Sequence, residues 1–207
     1  MVDDSERTPS PEEMLRLIER QRADTVRHLK GDPRLIYGPW GVAWLLGFGT
    51  LFLHYGLDGE PYLPISQMQA VGVQLCLQVL AGAVAAYGIT KMSGRVRGDS
   101  SARGMMYGYA WFAGMMLMVV IAMRMSPQLP PDESGLLWAA VSMLVVGVLY
   151  MAGGAIWLDW TMFFVGVCVL AVDAIGVLLG AGWHALLAAV FLGGGFLAVS
   201  VWPRRRR

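Results

Sequence analysis

The sequence predicts an all-α membrane protein with six transmembrane helices, preceded by a short cytoplasmic amphipathic helix. Of its 207 residues, 56% are hydrophobic and only 15% are charged, whereas soluble domains contain about 25% charged residues. Six stretches are almost free of charge, and each approaches the roughly 20 apolar residues that a helix needs to cross a bilayer. All of the 16 Lys and Arg residues except Arg124 fall on one side of the resulting topology.

The N-terminal segment, residues 1–34, contains a predicted helix over residues 11–30. The sequence Ser10-Pro11-Glu12-Glu13 has the pattern of a capping box, in which Ser is the N-cap and Glu the third helical residue. Gly31 and the following Asp32-Pro33 favour a helix end, since proline cannot continue the hydrogen bonding. The apolar stripe of this helix consists of Leu15, Ile18, Val26 and Leu29, interrupted by Arg22. Such a helix can lie on the inner leaflet, dock on the inner loops of its own chain, bind a cytoplasmic protein or remain solvated.

The transmembrane bundle is predicted over residues 35–203. Its spans cover residues 35–57, 68–89, 104–123, 135–158, 161–180 and 183–202. The loop after the second span and the tail, residues 204–207, are basic, and basic residues near membrane helices stay in the cytoplasm. Both termini are therefore predicted to be cytoplasmic. The linkers around Asp58 and Asp132 contain no Lys or Arg and are predicted to face outward.

No motif in the chain predicts an enzyme, a metal site or a cofactor. Cys76 and Cys168 are isolated within apolar stretches, which argues against a disulfide framework or a structural zinc site. Ser142 and His184 lie on the fourth and sixth spans, as does the Ser–His dyad of rhomboid-type intramembrane proteases. However, the Gly-x-Ser-Gly motif of those enzymes is absent, because Ala140-Val141-Ser142-Met143 stands in its place.

Asp173 is the strongest candidate for a functional residue. It lies well inside the fifth span, nearer its outer end, and an ionised carboxylate there costs several kcal/mol if it faces lipid. It must therefore face protein or water. One interpretation is a proton- or cation-binding role, and the other is a protonated Asp that holds two helices together by a hydrogen bond.

Three other titratable groups are predicted in the same outer half of the bundle. His54 lies near the end of the first span, Arg124 near the end of the third and His184 near the start of the sixth. If the first, third, fifth and sixth spans enclose a vestibule, these groups and Asp173 would line a polar cavity. Alternatively, each is an interfacial residue, with Arg124 reaching to the lipid headgroups.

The second span carries a polar stripe. Gln67, Gln74 and Gln78 recur at spacings of seven and four residues, which places them on one helical face with Gly82. This face is predicted to point into the bundle. There the amides of Gln74 and Gln78 either form interhelical hydrogen bonds or line a solute pathway.

Two segments carry a resemblance to a known family. Asp32-Pro33-Arg34-Leu35-Ile36-Tyr37-Gly38-Pro39-Trp40-Gly41 enters the first span, and Val145-Val146-Gly147-Val148-Leu149-Tyr150-Met151-Ala152-Gly153-Gly154 ends the fourth. With these segments the chain resembles an uncharacterised six-helix actinobacterial membrane protein family, whose members are often labelled transporters. The resemblance extends over most of the chain. It implies a bacterial origin and the six-span topology, and it implies no site residues.

Two functional hypotheses follow from the sequence. In the first, a bacterial cytoplasmic (inner) membrane protein transports or binds a small or lipophilic solute through a cavity involving Asp173, Gln74 and Gln78. In the second, a non-catalytic membrane partner or sensor acts through the helix over residues 11–30. The expected partners are the lipid bilayer, a small solute, and a cytoplasmic protein or further copies of this chain, without nucleic acid.

Overall fold

The computed structural model describes residues 10–17, 34, 37–93 and 99–201. Within these residues the chain is helical and contains no strand. The main helices are α1 (Gly38–Tyr55), α2 (Gln67–Ser93), α3 (Asp99–Met125), α4 (Pro131–Trp157), α5 (Trp160–Leu179) and α6 (Ala181–Val201). A helix is thus present at each of the six predicted spans, with bounds that differ from the predicted ones by a few residues.

Five of these helices, α2 to α6, are long and apolar enough to cross a membrane. Helix α1 has only 18 residues, which include Pro39, Trp40, Trp44 and His54, and these residues lower its hydropathy. At about 1.5 Å per residue it is roughly 27 Å long, slightly shorter than the hydrocarbon core of a typical bilayer. The count of six spans and the cytoplasmic location of both termini therefore remain predictions.

Helices α1 and α6 form the centre of the bundle. Helix α1 packs against α2 on one side and against the whole length of α6 on the other, and α6 packs in turn against α5. Helix α4 packs extensively on α5 and also packs against α3. The interior contact between α1 and α6 is aromatic, since the ring of Trp44 in α1 lies 5.6 Å from that of Phe196 in α6.

Two ends of this bundle can be distinguished by the connections between helices. At the Tyr55 end, α1 and α5 finish while α4 and α6 begin. Gly180 makes the tight connection from α5 to α6 there, with a φ of 96° that glycine adopts without strain. At the Asp159 end, α4 turns directly into α5, with only Leu158 and Asp159 between the two helices.

Asp159 caps the N-terminus of α5. Its Oδ1 atom accepts hydrogen bonds from the backbone N–H of Thr161 at 2.9 Å and of Met162 at 3.2 Å. We expect Asp159→Ala to lower the free energy of unfolding by about 1 kcal/mol, because it removes both acceptors from the first turn. Unfolding by sodium dodecyl sulfate in mixed micelles, followed by circular dichroism, measures this loss. Asp159→Asn retains a capping oxygen and should change stability less, so equal losses for the two variants would contradict the capping role.

Helix α6 contains a wide turn. Residues Ala188–Gly193 are π-helical, between α-helical segments Ala181–Leu187 and Gly194–Val201. This stretch packs against α1, and Ala188, Ala189, Leu192 and Gly193 are buried there. π-Helical turns accommodate one extra residue in a helix and often occur near functional sites.

The N-terminal segment forms a separate unit. Residues 11–17 are helical, and the two reciprocal hydrogen bonds of a capping box are present. The Ser10 N–H donates to Glu13 Oε2 at 2.9 Å, and the Glu13 N–H donates to Ser10 Oγ at 3.2 Å. The remainder of the predicted helix, residues 18–30, lies outside the described residues, as does the basic tail, residues 204–207. The docking role of this helix stays a prediction.

Candidate functional site

A buried pair of titratable side chains joins α5 to α6. His184 Nε2 lies 2.8 Å from Asp173 Oδ1, within hydrogen-bonding distance. Only 7% of Asp173 and 1% of His184 is exposed. The structure therefore brings together two of the residues that the sequence predicts for a polar site, and it places both inside protein.

The local sequence explains why Asp173 faces inward. Along α5, the buried residues Gly166, Val169, Asp173 and Gly176 recur at spacings of three and four, which places them on one helical face. Gly180 then reverses the chain seven residues after Asp173, and His184 follows four residues later. Both side chains consequently lie within about 10 Å of the Tyr55 end, at about 1.5 Å per residue.

The surroundings of His184 fix its ring. A Cβ atom on Gly176 would lie only 2.7 Å from His184 Cδ2, so the absence of a side chain at this position admits the imidazole between the helices. On the opposite side, the ring of Phe48 in α1 lies 6.3 Å from that of His184. The sequence predicts close helix packing at Gly176, from its four-residue spacing to Gly180, but it did not identify Phe48 or the contact of Gly176 with His184.

The pair can hold zero, one or two protons on its titratable groups. With one proton it is neutral overall, as either an ion pair or an uncharged acid beside an uncharged imidazole. Losing that proton leaves one negative charge inside the protein, and gaining another leaves one positive charge. Because isolated charges are costly in a nonpolar interior, the number of bound protons is coupled to the structure around the pair.

The two glutamines predicted for this site lie elsewhere. Gln74 is buried with its side chain against Gly47 of α1, and its Oε1 atom has no hydrogen-bond partner within the described part of the chain. Gln78 is half-buried. The polar stripe of α2 therefore turns toward α1, as predicted, with Gln67 donating hydrogen bonds to Tyr55 Oη and to the Pro131 carbonyl.

His54 and Arg124 do not join the pair. His54 is half-buried, and its Nδ1 atom donates to the Ile65 carbonyl at 2.8 Å, which closes the connection between α1 and α2. Arg124 is exposed on α3, a helix that packs on α4 rather than on α5 or α6. Among the four groups predicted to share an outer vestibule, the structure thus brings only Asp173 and His184 into contact.

A narrow crevice leads from the Tyr55 end of the bundle to His184. Its volume is about 10 Å³, and Phe48, Leu51, Tyr55, Leu136, Ala139 and His184 are among its lining residues. The Tyr55 hydroxyl lies against Gly135, which also lines the crevice. Within the described residues, no group of three or more His, Cys, Asp or Glu side chains could hold a metal ion.

These features define the class of protein. An all-helical chain with five helices able to cross a membrane, and with a buried Asp–His pair between two of them, has the architecture of a multi-pass membrane protein. Comparisons with protein-family models, curated proteins and solved structures find no match for this chain. The resemblance to an actinobacterial membrane protein family stays a prediction.

Proposed function

We propose that this chain is a six-span protein of a bacterial cytoplasmic membrane that binds or moves a small solute in step with protonation of Asp173 and His184. Helix α1 lies between α2 and α6, both of which can span a membrane, and this position supports a sixth crossing. The distribution of Lys and Arg supports a cytoplasmic location for the Asp159 end and an external location for the Tyr55 end.

The buried Asp173–His184 pair is the observation that carries this proposal. Ionisable residues inside membrane helices are costly, and they usually mark proton or ion pathways. Two neutral side chains could join α5 and α6 with one hydrogen bond, without the charge that an Asp–His pair brings. Retaining two titratable groups in direct contact favours a role in which protons bind and leave.

The volume of the crevice decides which of the two proposed ligands, the proton or the small solute, can bind beside His184. A water molecule needs roughly 10–15 Å³, and the crevice beside His184 offers about 10 Å³. The crevice therefore holds at most one water molecule, which leaves the proton as the ligand that binds the pair directly. A larger solute requires either movement of the helices around the pair or a separate position in the bundle.

Infrared difference spectroscopy of the purified protein in lipid nanodiscs tests proton binding by the pair. We expect stepwise acidification to change a carboxyl absorption that belongs to Asp173. The Asp173→Asn variant should lose this change because an amide does not titrate. Asp159→Asn is the matched control, since it alters a capping aspartate at the opposite end of α5 and should leave the signal intact.

Coupling to solute is tested in vesicles loaded with the pH-sensitive dye pyranine. Addition of ethidium, a lipophilic cation used as the probe solute, should move protons across the membrane with the native protein and with Asp159→Asn, but not with Asp173→Asn. A carboxyl signal that is unchanged in Asp173→Asn would refute proton binding at the pair. A normal carboxyl signal without proton movement would instead refute coupling to this solute.

A further inference from the structure

The residues that line the crevice beside His184 belong to one end of the bundle. Tyr55 is the last residue of α1, Ala181 is the first of α6, and Gly135 lies in the second turn of α4. All three line the crevice and belong to the Tyr55 end, while His184 and Phe48 lie deeper. The described lining residues include none from the Asp159 end. The crevice therefore lies between His184 and the Tyr55 end, and not toward the Asp159 end.

The walls of this route suit one particular ligand. Phe48, Leu51 and Leu136 are apolar, and the polar groups that line it are the Tyr55 phenol and the His184 imidazole. Metal cations such as calcium need six or more oxygen ligands, which this lining does not supply. A single water, which needs two to four polar partners and roughly 10–15 Å³, matches both the polarity and the volume of about 10 Å³.

Few other titratable groups face the pair from the elements packed around it. Helix α1 contributes Tyr55, while the neighbouring His54 is bonded to the Ile65 carbonyl. Helix α4 presents Gly135, Leu136 and Ala139, and its acidic residues, Asp132 and Glu133, are exposed in its first turn. Within the described chain, α5 and α6 contribute only Asp173 and His184 themselves as charged groups at this end.

We propose that this crevice is a binding site for one water molecule, which transfers protons between the surface at the Tyr55 end and the Asp173–His184 pair. A hydronium ion formed in the crevice gives one proton to the pair through His184 and remains as neutral water, and the reverse step releases the proton. The Tyr55 hydroxyl, fixed between Gln67 and Gly135, orients this water. The inference rests on the proposed function, and it adds that the pair equilibrates with the external side only.

The test uses the full-length protein in vesicles of phosphatidylcholine and phosphatidylglycerol, selected for a single orientation. The Asp173 carboxyl absorption is followed in time after rapid acidification of one side, while the other side remains strongly buffered. We expect a response to acid at the Tyr55 end and none to acid at the Asp159 end. Ala139→Leu, which fills the crevice, should slow the response about tenfold or more without changing its amplitude, an increase of about 1.4 kcal/mol in the barrier.

The matched control is Ala155→Leu, an exposed position on the same helix, which should respond at the native rate. Tyr55→Phe keeps the ring and removes the hydroxyl, so it should also slow the response, and it remains informative if Ala139→Leu fails to fold. A response to acid at the Asp159 end, or native rates in both crevice variants, would overturn the inference. The absence of any carboxyl response from either side would instead refute the proposed function.

Discussion

Asp173→Ala is expected to lower the free energy of unfolding by about 3–5 kcal/mol, the range for removing one partner of a buried ion pair. The substitution leaves Nε2 of the His184 ring, of which only 1% is exposed, without its hydrogen-bond partner. That polar group would then be buried without a partner, which costs more than the hydrogen bond itself contributes. Unfolding by sodium dodecyl sulfate in mixed micelles measures the difference from the native protein.

A double-mutant cycle separates the interaction between Asp173 and His184 from the packing that each substitution removes. His184→Leu should also be destabilising, because it leaves the Asp173 carboxyl unpaired. The double variant, Asp173→Ala with His184→Leu, removes both polar groups and should lose clearly less stability than the sum of the two single losses. If the losses simply add, the two side chains are not coupled, and the contact at 2.8 Å does not stabilise the fold.

Gly166→Leu is expected to cause a second large loss of stability, at the contact between α4 and α5. A Cβ atom on Gly166 would lie 2.6 Å from the Gly147 carbonyl oxygen and 2.7 Å from the Met151 nitrogen. Both neighbours are backbone atoms, so they cannot rotate away as a side chain could. The helices would have to separate, and we expect a loss of about 3 kcal/mol or more, at the upper end for overpacked interiors.

Gly108→Leu provides the matched control for this substitution. Gly108 also lies within a membrane-length helix, but a Cβ atom there would meet no atom within 4 Å. The added side chain should therefore be accommodated, and the higher helix propensity of leucine should offset any loss. Equal destabilisation by the two substitutions, measured by the same unfolding titration, would show that backbone contact does not explain the role of Gly166.

The helices and their approximate ends could be predicted from the sequence because each is a long apolar stretch bounded by charges, prolines or glycines. Asp173 could be singled out for the same reason, as a carboxylate within such a stretch. Its pairing with His184 follows once α5 and α6 form a hairpin, since Gly180 lies between them, seven residues after Asp173 and four before His184. The sequence analysis placed the two residues in one region but did not identify the direct contact.

The order of the helices could not be predicted, and the shared vestibule depended on it. Inside a membrane, an apolar surface can face lipid as well as protein, so hydrophobicity does not distinguish the two sides of a helix. Nothing in the sequence of α3 indicates that it packs on α4, which leaves Arg124 away from the pair. The crevice could not be predicted from the sequence either, because it depends on how Tyr55, Gly135 and His184 come together from three helices.

The π-helical stretch Ala188–Gly193 separates α6 into two halves with independent angular positions. A regular helix turns by about 100° per residue, so His184 and Phe196, which are twelve residues apart, would point about 120° away from each other on an uninterrupted α-helix. The extra residue held in the wide turn removes about 100° of that difference. The imidazole and the phenyl ring therefore both reach α1, where His184 lies near Phe48 and Phe196 lies against Trp44.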